Sequence, residues 1–275
     1  MQNKYKTLIT GGCSFSKRAD LPIMKESEKT WTNALEESQD FTWSYHTGEP
    51  ASGNSLISKR VIKRLKYVLD KPQQNPEDIL VVVMWSDPIR RDLFASKNET
   101  YKWPELTKNL GTTEPLRLDE GFNISYNSQN RDWGYLRSGG FPSKDGYTYK
   151  EYAEWMNTYY ENFYTDEYSI INTYESILSL QWFLKINKIK YIFHTMKNIF
   201  TNKDGEFLHK PYSETHHLWD LIDKEKFVHH NDYDGLVEYA EETKLPMWDD
   251  NLHVKWDGHQ VYFNNVLKKR VIELI

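Results

Sequence analysis

The run Ile79-Leu80-Val81-Val82-Val83-Met84-Trp85 constrains this chain more than any other stretch. Seven apolar residues in succession, four of them β-branched, have no polar face to give to water. Such a run is too short for a buried helix and suits a central strand covered on both sides. Its surroundings alternate in kind. Tyr5–Thr10 and Phe41–Tyr45 read as strands, the second alternating aromatic and hydroxyl residues. Trp31–Glu36 reads as a short helix, and Lys17–Lys29, charged and carrying Pro22, reads as loop. Ala51-Ser52-Gly53-Asn54-Ser55 opens a longer helix, with Leu56, Ile57, Val61, Ile62, Leu65, Val68 and Leu69 at helical spacing. Strand, helix, strand, helix, strand predicts an α/β fold: a central, mostly parallel sheet with helices on both faces, in which sites collect at the carboxyl ends of the strands.

From Pro88 to about Gly146 this pattern dissolves into a stretch rich in Asn, Gly, Thr and Ser, with Tyr101, Trp103, Trp133 and Tyr135 spaced along it. A loop-like region of this length inside a compact domain is uncommon and often functional. It reads as an aromatic-rich insertion at 88–146 after the third strand, either flanking a cleft or decorating the surface. Tyr149–Phe163 and Tyr168–Ile186 read as helices, Ile189–Thr195 as a fourth strand, and Asn198–Met247 as mixed loop and helix. No linker divides the chain, so 1–275 is expected to be one domain.

Composition excludes more than it identifies. Lysine and arginine total 35 against 40 acidic residues, a net charge of -5, which disfavours a nucleic-acid partner. One cysteine, Cys13, forbids an internal disulfide. The N-terminus lacks an apolar region long enough for a signal peptide, and no run reaches membrane-spanning length. The expectation is a cytoplasmic protein with no membrane partner. Aromatic residues make up 15% of the chain, enough for either a ring-rich core or a cleft that uses amphipathic rings. The adjacent pairs His216-His217 and His229-His230 lack the i, i+4 spacing that places two imidazoles on one helix face, and His194 reads as a strand-end residue. No metal site and no cofactor are expected.

Two stretches carry chemistry. Thr7-Leu8-Ile9-Thr10 runs into Gly11-Gly12-Cys13-Ser14-Phe15-Ser16, where two glycines let the backbone turn sharply and lift Ser14 into a cleft. Near the C-terminus, Asp250 and His253 stand three residues apart, ahead of a helix with Val261, Phe263, Val266 and Leu267 on its face. Such a loop can hold a carboxylate on one imidazole nitrogen while the other faces a serine, as serine hydrolysis requires. It can equally let Asp250 cap the helix and leave His253 on the surface.

Together these stretches resemble the SGNH (GDSL-like) hydrolases, in the divergent form common among tailed phages. Gly12-Cys13-Ser14-Phe15-Ser16 is similar to the family's first block, with Cys13 in place of aspartate. Gly53 and Asn54 resemble the glycine block, Met84-Trp85-Ser86-Asp87 stands where Gly-x-Asn-Asp occurs, and Asp250-x-x-His253 resembles the last block. The resemblance implies a three-layer α/β/α sandwich of flavodoxin-like type. It implies Ser14 as nucleophile, His253 as general base and Asp250 as its orienting partner. It implies an oxyanion hole from the N–H groups of Ser14 and Gly53, with Ser86, or Asn54 reaching in, replacing the family's asparagine. Cys13 is expected to point into the packing, and Ser16 is a rival nucleophile. The implied activity is an esterase removing O-acyl (acetyl) groups from a carbohydrate or other small ester. The alternative is an impaired member acting as a carbohydrate-binding or virion-associated structural protein. A phage-encoded chain would act in the host cytoplasm or the virion.

Overall fold

The computed structural model describes residues 5–16, 29–49, 52–72, 74–90, 92–96, 133–137, 161–202, 204–208, 214–248 and 253–274. Four strands form a parallel sheet: β1 (Thr7–Gly11), β2 (Trp43–His46), β3 (Ile79–Trp85) and β6 (Lys190–Thr195). Their order is β2-β1-β3-β6. The register sets Ile9 beside Val81 in β3 and Tyr45 in β2, and Val83 beside Phe193 in β6.

All seven residues of β3 are buried, as its unbroken apolar run predicts. Successive side chains of a strand point to opposite faces, so one run must feed two cores. On one face Ile9, Val81, Val83 and Trp85 pack with Val61 and Leu65 of α2 (Asn54–Leu69) and with Ile170, Tyr174 and Ile177 of α3 (Asp166–Ile186). On the other, Leu8, Leu80, Val82 and Met84 pack with Trp31 and Leu35 of α1 (Trp31–Glu37). Leu236 and Val237 of α5 (Leu236–Glu242) and Tyr262 and Phe263 of the C-terminal helix complete that second core. The C-terminal helix runs as α6 (Trp256–Tyr262), a π-helical segment (Phe263–Leu267) and α7 (Lys268–Leu274). Helix α4 (Glu214–Leu221) lies in the segment between β6 and α5. At about 1.5–3 kcal/mol for each fully buried Val, Leu, Ile or Met, β3 is the largest apolar investment of the four strands of the parallel sheet.

Boundaries moved by one or two residues. β1 ends at Gly11 rather than Thr10, β2 spans 43–46 rather than 41–45, and α3 starts at Asp166 rather than Tyr168. The stretch read as unstructured insertion contains β4 (Asp92–Ser96) and β5 (Trp133–Arg137), an antiparallel pair outside the main sheet. Neither alternates apolar and polar residues, which is why periodicity passes over them. Apart from residues 88–90, the rest of the insertion and most of the helix read at 149–163 lie outside the described residues. Among the described residues no helix is long and apolar enough to cross a membrane.

Candidate active site

The sheet order doubles back between β1 and β3, so the chain leaves these neighbouring strands toward opposite faces and opens a crevice at their carboxyl ends. Ser14 follows β1 directly at that edge, in the 3-10 turn Ser14–Ser16. Gly12 makes the turn possible. Its φ of 149° is open to glycine alone, and a Cβ there would lie 2.2 Å from Ser16 Oγ.

The turn sorts its side chains. Cys13 is fully buried with its Sγ 3.7 Å from Met196 Sδ, so it points into the packing as expected. Ser16 is buried and accepts a hydrogen bond from Trp31 Nε1 at 3.1 Å, which spends the rival nucleophile on structure. Ser14, partly exposed, turns outward, and its Oγ lies 2.9 Å from His253 Nε2. These residues are 239 positions apart in the chain.

His253 is held by a backbone clamp. Trp248 N–H donates to the His253 carbonyl at 2.8 Å and Lys255 N–H donates to the Pro246 carbonyl at 2.9 Å, tying His253 to the segment that ends at Trp248. Lys255 occupies the N-cap position of the helix that follows and makes no side-chain cap bond. Asp250 itself lies outside the described residues. A residue that sequence reasoning passed over completes the pair. Phe15, buried to 1%, stacks on the His253 ring with centroids 4.6 Å apart and planes at 16°. Only its place after the serine, an apolar side chain in an exposed-looking turn, could have signalled it.

Three other histidines are held below the ordinary imidazole range. His259, near Phe15, is held down at about 3 by burial and then by its electrostatic interaction with the neighbouring His253. His194, buried against the edge of Trp31, is also held down at about 3 by burial, and His229 at about 4. His194 therefore stands as core. Among the described residues no group of three His, Cys, Asp or Glu side chains could hold a metal ion.

The oxyanion donors differ from the arrangement the resemblance implies. Gly53 is the N-cap of α2, yet its N–H donates to Asp92 Oδ1 at 2.9 Å, while Leu56 N–H donates to Asp92 Oδ2 at 3.0 Å. A carboxylate delivered by β4 thus covers the helix terminus, because unsatisfied N–H groups and the helix dipole both favour an anion there. Asn54 does not reach into the cleft. Its amide nitrogen donates to the Ser86 carbonyl at 2.9 Å and to Thr173 Oγ1 at 3.0 Å, and its oxygen accepts from Ser86 N–H at 2.7 Å. Both amide hydrogens are consumed. Ser86 is fully buried, so its hydroxyl is closed off from the cleft. Of the four expected contributors, Ser14 stands beside His253 at the carboxyl edge of the sheet.

No family model matches the chain, and no curated protein matches it.

Proposed function

We propose that the protein is a serine acyl hydrolase of SGNH-like architecture. The observation that carries this reading is the 2.9 Å approach of Ser14 Oγ to His253 Nε2 at the carboxyl edge of a parallel sheet. A histidine at that distance can take the serine proton as the hydroxyl attacks an ester carbonyl, then return it to the leaving alcohol. Phe15 keeps the imidazole plane in place between the two transfers. Asp250, three residues ahead of His253, is the proposed orienting carboxylate. The proposed substrate is an O-acylated carbohydrate or other small ester. A fluorophosphonate probe should label the wild-type protein at Ser14. Ser14→Ala should abolish both labelling and release of nitrophenol from a short acyl ester, and a wild type that shows neither would overturn the reading.

A second reading has its own support. Gly53 N–H and the Asn54 amide are committed elsewhere, so the tetrahedral intermediate meets fewer donors than a full oxyanion hole supplies. Removing one such donor costs about two to three orders of magnitude in rate. In this reading the protein keeps the fold and binds a glycan without cleaving it. Glycan binding that survives Ser14→Ala, with no acyl ester hydrolysed, would favour it.

A further inference from the structure

Arg90 follows β3 at the same edge of the sheet as Ser14 and is 6% exposed. Its Nη1 is buried with no hydrogen-bond partner, and among the described residues no carboxylate pairs with its guanidinium. An arginine stays charged in a protein, and a buried charge without a partner is among the most costly features a fold can keep. Two fully buried hydroxyls without partners, on Ser52 and Ser86, accompany it. All three belong to the segments around the first turn of the sixteen-residue helix α2. Ser52 precedes its N-cap, Ser86 is bonded through its backbone to Asn54, and a Cβ on Gly53 would stand 2.7 Å from the Arg90 carbonyl oxygen.

This group connects to the nucleophile turn through the backbone. Glu49 N–H donates to the Gly12 carbonyl at 3.1 Å, and Ser52 N–H donates to the Glu49 carbonyl at 3.4 Å. In the same neighbourhood the Asp92 carboxylate spans two backbone N–H groups of α2 with bonds of 2.9 and 3.0 Å. A planar two-oxygen group matches the guanidinium fork in the same manner.

We propose that Arg90 anchors a carboxylate of the ligand at the edge of the Ser14–His253 site, so that the preferred substrate is an acidic ester such as an acylated sugar acid. The substrate part rests on the serine-hydrolase reading; the binding part does not. The test uses the full chain carrying Ser14→Ala, with and without Arg90→Met. Glucuronate should raise the melting temperature of Ser14→Ala and leave the double variant unmoved, while glucose should move neither. Equal responses to glucuronate and glucose, a stronger response to inorganic phosphate, or a glucuronate response that persists in the double variant would each overturn the proposal.

Arg90→Met also separates a binding role from a structural one. Removing an unpaired buried charge should leave the unliganded melting temperature unchanged or higher. A marked fall would assign Arg90 to the architecture and sink the proposal. In the active chain, the kcat/KM ratio of acetylated glucuronate to acetylated glucose should fall about 10- to 100-fold with Arg90→Met, the value of a charged hydrogen bond. Hydrolysis of both esters with an unchanged ratio removes the carboxylate anchor and spares the hydrolase. Arg90-dependent glucuronate binding without any hydrolysis supports the anchor and removes the hydrolase.

Discussion

Phe15 shows how much a single side chain can contribute without touching the chemistry. Its ring lies nearly parallel to the His253 imidazole and anchors it to the second core, where Phe15 itself is buried. Proton transfer depends on sub-ångström placement of the base, and small displacements cost large factors in rate. Phe15→Leu keeps most of the volume but removes the flat surface. It should lower kcat about 10-fold or more with little change in KM, as steady-state kinetics on a short ester would show. Phe15→Ala also opens a cavity and should cost about 3–5 kcal/mol in denaturant unfolding.

At the level of elements, α2 decides how the strand ends are arranged. Its first turn is held from outside by Asp92 of β4 and, through Asn54, by the Ser86 backbone after β3. Asp92→Ala removes the acceptor of two N–H groups at a helix terminus and should cost about 0.5–2 kcal/mol, lowering the melting temperature by a few degrees. The same variant frees the Gly53 N–H. If that N–H serves the oxyanion, Asp92→Ala should raise kcat on a short ester, and an unchanged kcat assigns Asp92 to capping alone. Asn54→Ala leaves the buried Ser86 N–H without its acceptor and should cost about 1–3 kcal/mol, measured by denaturant titration. Gly53→Ala places a Cβ 2.7 Å from both the Arg90 carbonyl oxygen and an Asp92 oxygen. Neither can yield without loosening the cap, so a loss of about 1–3 kcal/mol is expected.

The whole molecule carries a pH dependence in its buried histidines. His194 and His259 are held at about 3 and His229 at about 4, each mainly by burial. In the unfolded chain all three bind a proton near pH 6.5. Their folded values are depressed, so the stability they contribute is full above about pH 6.5 and is lost as pH falls toward the folded values. Each contributes a slope of about 1.4 kcal/mol per pH unit once its unfolded form is protonated. Thermal unfolding followed from pH 7 to pH 4.5 should show a steep fall below pH 6.5, with about three protons taken up on unfolding from these groups. A flat profile over that window would contradict the burial of these rings.

The α/β class, the central strand and the two ends of the candidate site were legible in the chain alone. Burial pattern is local: Ile79–Trp85 has no polar side to expose, and residues 56–69 repeat at the period of a helix. Ser14 and His253 were singled out by the resemblance of their stretches to known blocks, since spacing alone also allowed a helix cap at Asp250 and a surface His253. What only the tertiary structure decided is who meets whom. Gly53 finds Asp92 39 residues away, Asn54 finds Ser86 32 away, and Phe15 finds His253 across nearly the whole chain. No periodicity encodes those partners, because they depend on how the loops at one edge of the sheet close over each other. Hydrogen bonds and ring contacts act over a few ångströms, so the donors left for chemistry are those that packing has not already used.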